Sequence, residues 1–368
     1  MIRVIHVAEC IGGVDRYLRC LLKYSDKEKI ENIMILSQLY KKEDYEGLAD
    51  HVEIMHMTHG MGASALKEAK ELRGKIKKYN PDVVYAHSSI AGAITRMACI
   101  GLNVKVVYNP HGWSFNMESR KKNTFIALEK LMAHFCDAII CISEAEKISA
   151  LREGICKEDK LHVIENGIDI AEYREEKAYL PIPEDVFVVG MVGRICRQKA
   201  PDVFVKMAGE VHKEIKNSFF IIVGDVLEGR EEERKEIEQL AEKLGVNLFI
   251  TGWVNNPMAY MRRFDVGCLL SRWEGFGLAI PEYMLAEVPI VATKVDAIPY
   301  LIEDDVNGML VEKDDWESAA EKVVEVANDE DKRKEMVANG LRTVKERFDA
   351  RRVAKECEEL YKEILEER

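Results

Sequence analysis

The segment Glu274-Gly275-Phe276-Gly277-Leu278-Ala279-Ile280-Pro281-Glu282 sets two carboxylates on either side of a glycine-rich turn. An ionised carboxylate accepts two hydrogen bonds, which suits adjacent sugar hydroxyls. Gly275 and Gly277 permit an unusual backbone and leave free N–H groups at a helix start. Glu282 lies about one helical turn further in and can face the same pocket. The plainer reading, acids favoured by a helix dipole, serves for Glu274 and is weaker for Glu282. A second loop carries Gly193-Arg194 and then Lys199, ahead of a helix opened by Pro201. A guanidinium fork and an ammonium point charge on one loop suit a diphosphate; two solvated surface cations are the competing reading. Gly12-Gly13 follows an apolar run and precedes a helix beginning near Val14, so backbone there can approach an anion or simply turn. It is not G-x-G-x-x-G, and a dinucleotide fingerprint is absent. His111-Gly112, after Val104–Asn109, either binds a ligand or bonds to backbone.

These loops need strands behind them. Strands are expected at Ile2–Val7, Asn32–Ser37, Val52–His56, Asp82–Ala86, Val104–Asn109, Ala138–Ile142 and Leu161–Glu165, with amphipathic helices such as Tyr17–Tyr24, Ser64–Tyr79 and Asn123–Phe135 between them. The segment Ala178-Tyr179-Leu180-Pro181-Ile182-Pro183 stops regular structure and reads as a linker. The alternation then restarts. Strands are expected at Phe187–Val192, Phe219–Val223, Asn247–Ile250, Val266–Leu270, Ile290–Thr293 and Met309–Val311. Helices are expected at Pro201–Ile215, Glu231–Leu244, Pro257–Arg262, Leu278–Ala286, Trp316–Val326 and Asp331–Phe348. The expected fold is α/β, two Rossmann-like parallel-sheet domains facing a central cleft, with ligands beyond the carboxyl ends of the strands. The boundaries read as 1–178 and 184–349, with a last helix, about 350–368, returned to the first domain.

Composition agrees with two domains. The chain has 368 residues, against roughly 100–200 per domain. Residues 1–180 balance 26 basic against 26 acidic side chains, while 181–368 hold 27 against 39. The net charge of −12 argues against non-specific nucleic-acid binding. No apolar run approaches the roughly 20 residues of a spanning helix, and Met1–Val7 reads as a strand, not an export signal. Nine scattered cysteines without a C-x-x-C pair read as reduced thiols of a cytoplasmic protein. No Cys/His cluster has metal-ligand spacing.

Taken in order, Gly12-Gly13, His111, Asn166-Gly167-Ile168-Asp169, Gly193-Arg194-x4-Lys199 and Glu274-x7-Glu282 resemble the retaining glycosyltransferases of family GT4, which have the GT-B fold. The resemblance implies a nucleoside-diphosphate sugar donor, usually UDP-linked, with no cofactor or metal required. On that likeness Arg194 and Lys199 neutralise the donor diphosphate, and backbone N–H groups of Gly12, Gly13, Gly277 and Leu278 add donors. Glu282 holds the ribose, Gly252-Trp253-Val254 reads the base, and Glu274 with Phe276 and Gly277 holds the transferred sugar, which His111 also touches. Retention implies front-face transfer in which the departing phosphate takes the acceptor proton, without a dedicated base.

The sequence departs from the family where Ala200 follows Lys199 and where Glu287-Val288-Pro289 precedes a strand, both places usually glycine, and in Asp15-Arg16 and Pro281. The acceptor implied is a glycan or lipid-linked hydroxyl, in surface polysaccharide or glycolipid assembly. Loops at Met57–Gly62 and Trp113–Asn123 are its candidate readers. The basic runs Arg120-Lys121-Lys122 (followed by Phe125, Ile126 and Leu128) and Arg73–Lys78 suggest peripheral contact with the inner membrane face, although ordinary solvated helix faces read the same way. A nucleotide-sugar epimerase and a non-catalytic sugar-binding protein remain open readings of the same architecture.

Overall fold

The computed structural model describes the chain except residues 59–62, 118, 173–175, 181, 184 and 367–368. It divides into two compact units, Met1–Asp169 with Asp349–Arg368, and Ile170–Phe348.

The first unit runs β1 (Ile2–Ala8), α1 (Gly13–Tyr24), β2 (Ile30–Leu36), β3 (His51–Ile54), α2 (Ala63–Tyr79), β4 (Val83–His87), α3 (Ser89–Cys99), β5 (Lys105–Asn109), α4 (Lys122–Met132), β6 (Ala138–Cys141), α5 (Glu144–Glu153) and β7 (Leu161–Val163). The sheet order is β3-β2-β1-β4-β5-β6-β7, and every pairing is parallel. All five residues of β4 are buried, as expected of a strand covered on both faces.

The second unit repeats the plan with β8 (Phe187–Val192), α6 (Pro201–Glu214), β9 (Ser218–Val223), α7 (Glu231–Leu244), β10 (Leu248–Ile250), α8 (Pro257–Met261), β11 (Val266–Leu269), α9 (Ala279–Leu285), β12 (Ile290–Thr293), α10 (Ile298–Leu301), β13 (Met309–Val311), α11 (Trp316–Asn328) and α12 (Glu330–Arg347). Its sheet order is β10-β9-β8-β11-β12-β13, again parallel throughout. The last helix, α13 (Ala350–Glu366), belongs to the first unit. Its Val353, Ala354, Cys357, Leu360, Tyr361 and Ile364, at helical spacing, share a core with Val14, Leu18, Leu21 and Leu22 of α1.

The crossing between units differs from the expected linker. The chain leaves the first unit after Asp169, well before the proline pair. Ala178 N–H already donates to the Ala259 carbonyl of the second unit at 2.8 Å, and Leu180 is buried. The prolines therefore mark an approach to β8 and not the crossing; Pro181 and Glu184 lie outside the described residues.

The segment Asn166–Asp169 is where departing and returning chain meet. Ile168 pairs with Asp349, and Ala350 N–H donates to the Ile168 carbonyl at 3.0 Å. A Cβ on Gly167 would fall 2.9 Å from the Ala350 backbone, so only glycine fits. Asp169 is anchored by Lys23 Nζ at 2.5 Å and Tyr24 OH at 2.6 Å.

Candidate active site

In the second unit the loops after β8 and β11 are sewn together. Gln198 Nε2 donates to the Trp273 carbonyl at 3.0 Å, and Arg272 N–H to the Gln198 carbonyl at 2.8 Å. Arg272 braces the join, with two bonds to Asp202 at 3.1 and 2.7 Å and one to Asp314 at 2.7 Å. On this frame Lys199 Nζ meets Glu274 Oε1 at 2.5 Å. Ser271 Oγ donates to the same oxygen at 2.6 Å, and Glu274 N–H donates to Asp296 Oδ2 at 2.8 Å. Two residues that the family likeness assigns to different parts of a donor are thus in direct contact. Arg194, earlier on the loop that carries Lys199, is exposed, and Glu274 is buried.

Gly277 holds φ 91°, a left-handed value that opens α9, and Leu278 stands at its N-cap. Glu282 is buried in the first turns of that helix, and Pro281 is accommodated beside it. Phe276 is buried edge-on to Phe348, with ring centroids 5.7 Å apart. After β10, Trp253 is exposed and Val254 half-buried.

Both departures from the family's glycines fall at strained backbone. Ala200 holds φ 51° and Glu287 holds φ 61°, the left-handed region. A side chain there costs about 1–2 kcal/mol, against about 0.5–1 kcal/mol of extra unfolded-state entropy for glycine. Glu287 is exposed. Glu287→Gly is expected to stabilise the chain by about 0.5–1 kcal/mol, read as a rise in the urea midpoint.

In the first unit Gly12 caps α1 at φ 95° and Gly13 is its first residue. The first amides of that helix have no partner within it. His111 follows β5 at φ 50°, with its N–H donating to Asn109 Oδ1 at 2.9 Å. Glu146 holds the next turn, accepting from the N–H groups of Gly112 and Ile142, while Trp113 Nε1 donates to its carbonyl. Burial raises the Glu146 carboxyl to about 8, against the pull of those two amides.

His111 is joined by two histidines that the sequence reading passes over, His6 on β1 and His87 ending β4. Burial lowers His6 to about 4 and His111 to about 3, and takes His87 well below the usual imidazole range. Between those values and about 6.5 the unfolded chain binds protons that the folded one does not. Their contribution to stability is therefore full above about pH 6.5, falls as pH drops below it, and is fully lost by about 4 for His6 and about 3 for His111. Glu146, held near 8, works the other way over the same window, because the folded chain keeps a proton there that the unfolded one releases. The three rings outweigh it, so urea midpoints should drop between about pH 7 and about pH 5, and less so in a His6→Gln chain.

Other expected surfaces fare differently. Lys75 and Lys78 pair with Glu53, and Arg73 bonds the carbonyls of Ala98 and Ile100, so that basic run is tied into the fold. Phe125 and Ile126 pack against the first unit's core, while Leu131 and Phe135 are exposed. Trp113 and Phe115 are stacked and buried, which removes them as acceptor readers; Glu118 and residues 59–62 lie outside the described residues. Among the described residues no helix is long and apolar enough to cross a membrane.

Two doubly wound parallel sheets, with cations, carboxylates and glycine turns at the strands' carboxyl ends, have the plan of a GT-B fold. Residues 11–172 match Glycosyltransferase Family 4 and residues 172–343 match Glycosyl transferases group 1. The chain belongs to this glycosyltransferase family. It is 31% identical to an uncharacterized 41.2 kDa protein in the cps region of Klebsiella pneumoniae, over 88% of each chain. It is 28% identical to the Escherichia coli UDP-Gal:alpha-D-GlcNAc-diphosphoundecaprenol alpha-1,3-galactosyltransferase, over 89% of this chain and 88% of that one. Among solved structures, Anabaena Alr3699/HepE in complex with UDP and glucose superposes with a TM-score of 0.85 at 22% identity, over 99% of this chain and 100% of that one.

Proposed function

We propose that this glycosyltransferase is retaining and moves a sugar from a UDP-sugar to a hydroxyl of a glycan or lipid-linked acceptor, in surface-polysaccharide or glycolipid assembly. The observation that carries the reading is Lys199 paired with buried Glu274 on two joined loops. An ammonium released from that pair is placed to meet a diphosphate, and the freed carboxylate to accept sugar hydroxyls. Arg194 adds a second cation. Together they stabilise the charge that grows on the departing nucleotide. Glu282 takes the ribose, Trp253 and Val254 the base through backbone groups, and Gly12, Gly13, Gly277, Leu278 and Phe276 supply backbone contacts. His111 addresses the transferred sugar. The bond from the anomeric carbon to the diphosphate breaks as the acceptor oxygen bonds on the same face, and the acceptor proton passes to the leaving phosphate oxygen. The E. coli relative, whose name gives a UDP-sugar donor and a diphosphoundecaprenol acceptor, supports both substrate classes. A lipid-linked acceptor fits peripheral membrane contact through Arg120-Lys121-Lys122 and the exposed Leu131 and Phe135. In this reading Met1–Asp169 with Asp349–Arg368 serve the acceptor, and Ile170–Phe348 serves the donor.

The test is UDP release from a panel of UDP-sugars with lipid-linked and glycan acceptors, with anomeric configuration of the product read by NMR. Release with retained configuration is expected; no release with any pair, or an inverted product, overturns the reading. Lys199→Ala should weaken UDP-sugar binding about 10- to 100-fold with an unchanged circular dichroism spectrum. Unchanged affinity removes Lys199 from the site.

A further inference from the structure

Three imidazoles stand in line through the first unit's sheet. His6 Nε2 lies 3.1 Å from Asn32 Oδ1, His6 Nδ1 lies 3.2 Å from His87 Nε2, and His87 Nδ1 lies 3.1 Å from His111 Nε2. His6, His87 and Asn32 are buried, and His111 is partly accessible. A neutral imidazole has one donor nitrogen and one acceptor, so each bond in such a line dictates the next. Asn32 Nδ2 is spent on Ser25 Oγ at 3.0 Å, and its Oδ1 can only accept. His6 must therefore carry its proton on Nε2 and accept at Nδ1. His87 then donates from Nε2 and accepts at Nδ1, and His111 donates from Nε2. Burial, which disfavours the charged form of all three rings, keeps that single polarity along the line. The ring of Tyr17 sits edge-on to His111 at 4.8 Å and helps hold its plane. No described residue bonds to His111 Nδ1.

We propose that Asn32, His6 and His87 are positioning residues that fix the tautomer of His111, so that its Nδ1 presents a lone pair and selects a hydroxyl or N–H donor on the ligand over an anionic group. The ligand's being a donor sugar rests on the glycosyltransferase reading; the tautomer line itself does not. A sugar hydroxyl opposite His111 would be accepted, whereas a sugar carboxylate would set lone pair against lone pair.

The experiment is a long-range proton–nitrogen correlation on the full chain labelled with 15N-histidine, without donor. In the wild type all three rings should be protonated on Nε2 alone. In Asn32→Asp the carboxylate favours a His6 imidazolium, which donates from Nδ1 as well. His87 and His111 should then both switch their proton to Nδ1. The Ser25 hydroxyl can donate to the new carboxylate, so the buried site keeps its bond. His87→Phe cuts the line, and the two His111 nitrogens should then give the averaged signals of an exchanging tautomer mixture. A wild-type His111 protonated on Nδ1 overturns the proposal. So does a His6 imidazolium in Asn32→Asp with His111 unchanged, or a fixed Nε2–H at His111 in His87→Phe. With whichever UDP-sugar the wild type turns over, Asn32→Asp should raise the donor KM about tenfold, the worth of one neutral hydrogen bond. If the wild type releases UDP from no sugar, the glycosyltransferase reading fails while the ring signals still decide the line.

Discussion

Burial of both faces of two parallel sheets is the constraint on which everything else rests. Strands such as Ser218–Val223 and Val83–His87 are buried along their whole length and present no solvent-facing side to a ligand. Side chains able to meet a ligand must then emerge where strands stop and helices begin. Gly12, His111, Arg194 and Glu274 all lie just past a strand's carboxyl end. The helices over the faces fill the core and orient those loops, and the buried Arg96–Glu129–Tyr108 cluster, with Arg96 to Glu129 at 2.9 Å and Tyr108 OH to Glu129 at 3.0 Å, ties α3, α4 and β5 into one block.

The same constraint explains what the sequence made legible. Apolar runs bounded by polar turns placed every strand within about two residues, and helical spacing placed α1, α2 and most helices of the second unit. It named neither α3 nor α5. In α3 nearly every residue from Ala91 to Cys99 is buried, so the helix has no polar face to set a period. In α5 only Glu146, Ser149 and Ala150 are buried, and the apolar stripe is too thin to read. The proline pair misplaced the crossing because proline marks where regular structure stops and says nothing about which unit the chain is packed on.

The site was legible as a set of residue types and opaque as a set of contacts. Lys199 and Glu274 were singled out, but their pairing depends on how two loops 75 residues apart are stitched by Gln198 and Arg272. Ser271 and Asp296, which hold Glu274, have no spacing signature at all. His6 and His87 were invisible for a different reason. In a fully buried strand a histidine breaks no alternation, so only the register of β1 against β4 and of β4 against β5 brings the rings into line. The strained backbone at Ala200 and Glu287 shows that the turns are set by the packing around them and persist without the residue that would relax them.

The meeting of Ile168 with Asp349 makes the second unit an insertion within the first, and that has a consequence for synthesis. The apolar stripe of α1 leaves the ribosome before the inserted unit, and the helix that covers it, α13, leaves after it. The inserted unit has every strand and helix of its own core before the first unit can close. A nascent chain therefore carries Val14, Leu18 and Leu21 without their α13 partners until the whole inserted unit has been made, so of the two units the one begun first is finished second.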